Sequence, residues 1–277
     1  MNHHTVQFTN GVYDTRNHVF YATEVVEEET AAAATAEVGY DYVPLAQLSP
    51  AKVDRYKAYI ASVFPDPETA EYVHDRIACT FAPDAACATI LLGNGGNGKT
   101  TFLEMMQKAH GGRATCATAL CFTGGRPNNR VAGNGFVYAE DFGESDDVLA
   151  IDHLAAIMMG QIVEQPLFGL PPLQRTPTAS SIMIATTWLP KLPPSVRAAD
   201  DLWRRMEVLP CTARFSGNHD WAVVQELLED IYTVVAPLSF ERLKNHAAEL
   251  QCGGGLSREV ARATTAYRNG KQQLVMA

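Results

Sequence analysis

The chain has 277 residues and 47% hydrophobic content, enough to bury a substantial core as one large α/β domain, alone or with a small appendage. Its formal net charge of −9 argues against a globally basic nucleic-acid binder, although an acidic exterior can coexist with a local basic channel. No apolar run approaches the roughly 20 residues that span a bilayer, and no charged-then-apolar leader opens the chain. We therefore expect a soluble intracellular protein, in the cytoplasm or the nucleus, with no membrane partner.

The first third of the chain contains two different patterns. Apolar residues on both sides of the Asn10-Gly11 pair predict a small β-hairpin within residues 6–22. Two helix starts follow, because Ser49-Pro50 and Asp66-Pro67 each combine a capping residue with Pro at the first helical position. We therefore expect residues 1–84 to form an N-terminal accessory region of hairpin and helices.

A phosphate-loop motif follows this region. Residues 93–100 fit the pattern G-x-x-x-x-G-K-[ST] at every fixed position, after an apolar strand pattern at 88–92 and before a helical pattern at 101–107. A Gly/Asn-rich turn could match by chance, but the strand and helix on either side argue against it. Lys99 is expected to reach the β- and γ-phosphates, and the Thr100 hydroxyl to hold Mg²⁺. The residues predicted to bind the nucleotide are Gly93, Asn94, Gly95, Gly96, Asn97, Gly98, Lys99, Thr100 and Thr101.

Two later apolar segments are predicted to be strands that end in polar residues. The first ends in Glu140-Asp141, about 40 residues beyond the phosphate loop, and the second ends in Thr187. In a nucleotide hydrolase, acids at this edge of the sheet can serve Mg²⁺ and polarise the attacking water. Thr187 could orient that water, although, taken alone, it is better explained as a Thr that closes a strand.

Two arginines, Arg204 and Arg205, precede a segment with the pattern of an edge strand. Arginine from a neighbouring subunit is a common way to stabilise charge in phosphoryl transfer. Alternatively, the pair holds Asp200 and Asp201 in surface salt bridges. Spacing alone favours neither reading.

The last part of the chain has helical patterns. Residues 220–250 predict one broken helical region that is interrupted at Pro237, and residues 257–275 predict a terminal helix. We therefore expect an ATPase core at 85–250 and a C-terminal helix within 251–277.

These motifs, in this order, resemble those of superfamily 3 helicases, and within them the helicase half of phage/plasmid and poxvirus-type primase-helicases. The residues that carry the resemblance are Asn10-Gly11-Val12-Tyr13-Asp14, the phosphate loop, Glu140-Asp141, the strand and turn at 181–190, and the Trp-Arg-Arg segment within 202–210. Members of the family resemble AAA+ ATPases that form hexameric rings and pull DNA through the centre.

The resemblance implies both a fold and a set of roles. The expected fold is a three-layer α/β P-loop AAA+ ATPase domain with a small N-terminal hairpin and helical region. Glu140 and Asp141 correspond to the Walker B acids, which also serve the metal together with Thr100. Thr187 takes the sensor-1 position, and Arg205, or Arg204, is the arginine finger that acts in trans.

Two departures from the family pattern bear on function. The family usually has Asn where this chain has Thr187. The family also carries Lys, then an acid, then Arg ahead of its DNA-contacting hairpin, whereas residues 151–167 contain neither Lys nor Arg. Because phosphate contacts supply most sequence-independent affinity, this weakens the expectation of DNA translocation more than that of ATP hydrolysis.

The sequence therefore predicts an ATP-dependent replicative DNA helicase of a virus, phage or plasmid, which uses ATP and Mg²⁺. Its expected partners are single-stranded DNA, further copies of itself in a ring, by resemblance a hexamer, and a separate primase or replication protein. One alternative is a non-translocating AAA+ ATPase, a loader or remodeller, which the lack of cations favours. The other is a P-loop kinase, whose lid would need an arginine cluster that this chain offers only at Arg204-Arg205.

Overall fold

The computed structural model describes residues 4–23, 37–118, 121–123, 135–140, 148–160, 179–215, 221–251 and 255–270. These residues form an α/β fold, in which a parallel five-stranded sheet is flanked by helices and an antiparallel three-stranded sheet precedes it. The α/β class expected from the sequence is therefore confirmed.

The N-terminal sheet contains one strand more than the predicted hairpin. Strands β1 (Thr5–Phe8), β2 (Gly11–Asp14) and β3 (Val19–Ala22) pair in that order, and the Asn10-Gly11 pair lies at the first turn. A Cβ on Gly11 would lie 2.2 Å from the carbonyl oxygen of Tyr21, so only glycine allows β3 to approach this closely. The third strand therefore depends on the same turn residue that predicts the hairpin.

Seven α-helices are present among the described residues. They are α1 (Pro50–Val63), α2 (Pro67–Cys79), α3 (Lys99–His110), α4 (Ile151–Met158), α5 (Asp200–Trp203), α6 (Trp221–Gln251) and α7 (Arg258–Arg268). The Asp66 carboxylate accepts a hydrogen bond from the Thr69 backbone N–H at 2.8 Å, which is the predicted cap of α2. Ser49 stands before α1 as predicted, but its side chain makes no capping hydrogen bond.

The parallel sheet consists of β4 (Ala88–Leu92), β5 (Ala114–Cys116), β6 (Phe136–Ala139), β7 (Ser181–Thr186) and β8 (Met206–Pro210). The strand order is β5-β6-β7-β4-β8, so β4 has β7 on one side and the edge strand β8 on the other. Every residue of β4, β6 and β7 is buried, as expected for a parallel sheet that helices cover on both faces.

The two faces of the sheet belong to two separate cores. Leu91 packs in a cluster with residues of α1, α2, α3 and α6, whereas its neighbours Ile90 and Leu92 pack in a cluster with residues of α4, α5 and α7. Successive side chains of a strand point to opposite faces, so the sheet is the middle of three layers. The N-terminal sheet joins the first cluster, where Tyr13 stacks on Phe240 with ring centroids 3.8 Å apart.

Helix α6 corrects one expectation. The predicted interruption at Pro237 is wrong, because the helix continues through this residue and has its non-helical backbone at His246 (φ −128°, ψ 20°). Val234 and Val235, in the preceding turn, are fully buried. Tertiary packing of this turn outweighs the loss of one backbone hydrogen bond at Pro237.

A buried polar cluster connects the N-terminal helices to the edge strand β8. The Glu207 carboxylate accepts hydrogen bonds from the Tyr72 hydroxyl and, at 2.8 Å, from the Thr89 hydroxyl. The Arg76 guanidinium lies 3.8 Å from the same carboxylate, and both side chains are buried. Burial, together with the Glu207 charge, raises the pKa of Tyr72 well above its usual value, so its hydroxyl stays a donor. This cluster fixes α2 against the sheet.

Within the described ranges, no helix is long and apolar enough to cross a membrane. The scattered spacing of the cysteines, without C-x-x-C pairs, predicts buried free thiols. The described cysteines are free thiols. Cys116 is exposed, contrary to this prediction, because it ends the short edge strand β5. The buried thiols are Cys79, Cys87, Cys121 and Cys211, and Cys252 lies outside the described residues.

Candidate nucleotide-binding site

The phosphate loop has the predicted strand–loop–helix context. β4 ends at Leu92, residues 93–98 form the loop, and α3 begins at Lys99. Gly96 (φ +74°) and Gly98 (φ +81°) adopt the left-handed conformation that costs other residues roughly 1–2 kcal/mol. Because Gly98 immediately precedes α3, the loop turns directly into the helix N-terminus, where free backbone N–H groups favour anions.

Gly93 and Asn97 fix the base of this loop. A Cβ on Gly93 would lie 2.1 Å from Asn97 Nδ2 and 2.5 Å from the Cys211 carbonyl oxygen, so this position has no room for a side chain. Asn97 Nδ2 donates to that carbonyl at 3.0 Å, and the Asn97 side chain is only 4% exposed. The amide therefore ties the loop to the segment that follows β8.

The Lys99 ammonium group is held by its own loop. Its Nζ donates to the carbonyl oxygens of Gly93 at 2.6 Å and Asn94 at 3.1 Å, and to Asn97 Oδ1 at 2.8 Å. The residue is only 8% exposed. These acceptors are neutral, whereas phosphate oxygens are anionic and add a charge–charge attraction to the hydrogen bond. The arrangement can therefore exchange loop carbonyls for a bound phosphate.

The residues predicted to meet nucleotide and metal differ in exposure. Asn94, Gly95 and Gly96 are exposed at the loop tip, Thr100 is exposed in the first turn of α3, and Thr101 is half-buried. Across the part of the chain that the structure describes, no group of three or more His, Cys, Asp or Glu side chains could hold a metal ion. An exposed hydroxyl beside a phosphate-binding loop suits Mg²⁺, which usually takes few protein ligands together with substrate phosphates.

Thr187 lies beside the start of the phosphate loop. The carbonyl oxygen of Thr186, the last residue of β7, accepts a hydrogen bond from the Gly93 N–H at 3.1 Å. The Thr186 hydroxyl is engaged in a local turn, in which it donates to the Trp188 carbonyl at 2.6 Å and accepts from the Trp188 N–H at 3.1 Å. Thr187 is exposed, so it carries the accessible hydroxyl at this strand end.

Glu140 lies at the same edge of the sheet but farther from the loop. It follows β6 directly and is exposed. Strand β7 separates β6 from β4, so two strand spacings, roughly 10 Å, lie between Glu140 and the strand that carries the loop. This spacing leaves room for a water molecule between the carboxylate and a phosphate at the loop. Asp141 lies outside the described residues.

Arg204 and Arg205 lie at the opposite edge of the sheet. They precede β8, and the Arg205 carbonyl oxygen accepts from the Ala88 N–H at 2.7 Å, at the start of β4. The length of β4 therefore separates them from the loop, about 16 Å at the usual rise of a strand. Arg204 lies 3.6 Å from Asp201 with both side chains exposed, and Arg205 Nη1 donates to the Ala86 carbonyl at 3.3 Å. Neither arginine lies next to the phosphate loop of this chain.

The segment after β8 forms a second wall of the site, which the sequence analysis did not identify. The Phe215 N–H donates to the Gly96 carbonyl at 2.9 Å, so this segment follows the phosphate loop. A cleft of about 490 Å³ lies between the loop and residues 210–215, with Glu259 and Arg262 of α7 also lining it. Burial raises the pKa of the Cys211 thiol to about 12, although Lys99 opposes the shift, so the thiol at this wall is neutral.

The fold and the loop together define a P-loop-like α/β protein. Its structure is similar to apo structures of the C-terminal region of NrS-1. One of these, spanning 305–718, aligns with a TM-score of 0.58 and 12% identity over 95% of this chain and 71% of that chain. Another, described as the A form, aligns with a TM-score of 0.53 and 13% identity over 83% of this chain and 55% of that chain. This chain therefore spans little more than half of that second chain.

At this level of identity the likeness concerns the fold alone. No protein-family model matches the sequence. No curated protein matches it either.

Proposed function

We propose that this chain is an ATPase motor of the superfamily 3 helicase type, which hydrolyses ATP with Mg²⁺ and translocates on single-stranded DNA as a homo-oligomeric ring. The observation that carries this proposal is the placement of its polar groups. The phosphate loop, Thr187 and Glu140 share the carboxyl edge of the parallel sheet, whereas Arg205 lies at the opposite edge. Ligands of open α/β sheets bind in the crevice outside the carboxyl ends of the strands, at the point where the strand order reverses.

ATP binding is the first step that these residues would perform. The Lys99 ammonium leaves the carbonyl oxygens of Gly93 and Asn94 and donates to the β- and γ-phosphates instead. The N–H groups of the loop and the start of α3 receive the remaining phosphate oxygens. Because the loop is already held by Asn97 and Cys211, little ordering is required on binding.

The hydrolytic step is assigned to the strand ends. The Thr100 hydroxyl would hold a Mg²⁺ ion directly, with Glu140 and Asp141 acting through water, and the ion would supply charge neutralisation for the phosphates. The Glu140 carboxylate accepts a hydrogen bond from the attacking water and polarises it. The Thr187 hydroxyl donates to the same water and holds its orientation.

The position of Arg205 supports a ring. At the usual rise of a strand, the length of β4 places it about 16 Å from the phosphate loop of its own subunit. An arginine finger supplied in trans stabilises the charge of the transition state. The salt bridge between Arg204 and Asp201 is solvent-exposed and contributes little to stability. It does not involve Arg205, so it does not compete with a role of Arg205 as the finger. In this proposal Arg205 is the finger and the ring contains six subunits. A separate primase or replication protein is a further partner of the ring.

The division into an accessory region (1–84), an ATPase core (85–250) and a C-terminal helix (251–277) is part of the same proposal.

A non-translocating AAA+ ATPase, a loader or remodeller, is the second candidate. It is favoured by helix α4 and its flanks, because residues 148–160 contain neither Lys nor Arg to contact a DNA backbone. The P-loop kinase is the third candidate: its lid would need several arginines, and the described cleft has two, Arg214 and Arg262.

The deciding experiment measures the ATPase rate with and without single-stranded DNA, together with the mass of the protein in ATP and Mg²⁺. A ring-sized particle whose ATPase rate rises with DNA is expected. Hydrolysis without any response to DNA would favour the loader, and phosphoryl transfer to an acceptor without hydrolysis would favour the kinase. Lys99→Ala is the control: activity that remains in this variant belongs to a contaminant.

A further inference from the structure

The strand order fixes the direction in which a bound nucleotide must lie. This step rests on the proposed function. Glu140 and Thr187 follow β6 and β7, which lie on one side of β4, so the reacting γ-phosphate lies on that side of the loop. The nucleoside must then extend to the other side, over β8 and the segment that follows it.

The space on that side is the cleft of about 490 Å³ described above. Its volume lies within the roughly 300–1,000 Å³ of small-molecule sites. One wall is the backbone of the phosphate loop, and the facing residues include Phe215, Arg214 and, from α7, Glu259 and Arg262. Arg262 and Glu259 pair with each other at 3.0 Å, and both side chains are about half exposed. The cleft therefore combines an aromatic surface with polar groups, as a nucleoside requires.

Phe215 is the aromatic side chain of this cleft, and its position is set by the loop. Its N–H donates to the Gly96 carbonyl at 2.9 Å, and its Cε2 atom would lie 3.0 Å from a Cβ on Gly98. The residue is nevertheless 36% exposed and lines the cleft. An exposed aromatic ring that is anchored beside a phosphate site provides a surface on which a base can stack.

We propose that this cleft holds the nucleoside half of ATP and that the base stacks on Phe215. The loop then binds the triphosphate and Phe215 binds the base, so the two halves of the ligand have separate determinants on two neighbouring segments of the chain. Every base has a π-face, so this contact adds affinity for nucleotides over inorganic phosphates and discriminates weakly among bases.

The test compares the binding of ATP and of inorganic triphosphate by calorimetry, for the wild-type protein, Phe215→Ala, Phe215→Tyr and Lys99→Ala. Phe215→Ala should weaken ATP binding by about 5- to 140-fold, the equivalent of the ~1–3 kcal/mol of one stacked base, and leave triphosphate binding unchanged. Phe215→Tyr keeps the ring and should restore ATP binding. Lys99→Ala should weaken both ligands.

Two results overturn the inference alone: wild-type ATP affinity in Phe215→Ala, or an equal loss of ATP and triphosphate, which means that the loop was distorted. Tyr21→Ala, which removes an exposed aromatic ring of the N-terminal sheet that does not line the cleft, is the matched control and should leave both affinities unchanged. If the folded wild-type protein binds neither ATP nor triphosphate, the proposed function fails and takes this inference with it.

Discussion

Replacing Asn97 by alanine should destabilise the protein even in the absence of nucleotide. The side chain is 4% exposed, donates to the Cys211 carbonyl at 3.0 Å and accepts from Lys99 Nζ at 2.8 Å. A neutral hydrogen bond contributes about 0.5–1.5 kcal/mol and one to a charged group about 1.5–3 kcal/mol, and the change also leaves buried partners unsatisfied. We therefore expect the free energy of unfolding to fall by roughly 2–4 kcal/mol.

Urea denaturation of Asn97→Ala and Asn94→Ala measures this effect. Asn94 has the same chemistry in the same loop but is exposed, so its replacement should change the stability by less than about 0.5 kcal/mol. Equal losses in the two variants would refute the argument, because burial and hydrogen bonding would then not distinguish the two asparagines.

A double-mutant cycle with Lys99→Ala isolates the contact between Asn97 and the ammonium group. Directly bonded residues usually show coupling energies of about 0.5–3 kcal/mol, whereas independent sites are additive. Strict additivity of Asn97→Ala and Lys99→Ala would mean that the hydrogen bond between them has no net effect on the folded state.

Three further predictions address catalysis and pH. Lys99→Ala should abolish hydrolysis and sharply weaken ATP binding, whereas Glu140→Gln should retain binding and lose hydrolysis; normal turnover in Glu140→Gln would contradict its role. Thr187→Asn should raise basal turnover or leave it unchanged, because a carboxamide offers two N–H donors where a hydroxyl offers one; a loss comparable to that of Lys99→Ala would exclude Thr187 from this role. Burial, aided by the Arg242 charge, lowers the pKa of His74 from 6.5 to about 4, so the unfolded chain binds the proton first and stability is lost as the pH falls from about 6.5 to 4. His74→Gln should make urea midpoints at pH 7 and pH 5 more alike, and an unchanged difference would count against this origin.

The phosphate loop could be predicted from the sequence because its geometry is local. Residues 93–100 are contiguous, and the left-handed backbone at Gly96 and Gly98 follows from residue type. The buried strands β4, β6 and β7 could also be predicted, since their apolar runs coincide with the observed elements. The roles assigned to Thr187, Glu140, Asp141 and Arg205 stay predictions, as do the domain boundaries.

What the sequence could not provide depends on contacts between distant segments. That β7 separates β6 from β4 is a matter of pairing between strands far apart in the chain. The cleft is lined by the phosphate loop and by Phe215 and Arg262, which lie more than 100 residues further along the chain. Neither residue belongs to a recognisable sequence motif. Pro237 misled the prediction because its local signal was real, whereas the burial of the preceding turn is a property of the tertiary structure.

The central claim, that ATP is hydrolysed between subunits, is tested most directly by mixing two inactive variants. Arg205→Ala subunits keep the phosphate loop, and Lys99→Ala subunits keep the finger, which can contribute roughly three orders of magnitude or more to a neighbour's turnover. Under conditions in which the subunits have been shown to exchange, some interfaces pair an intact loop with an intact finger. ATPase activity should therefore reappear in the mixture. Absence of activity at every mixing ratio, with exchange demonstrated independently, would contradict the account.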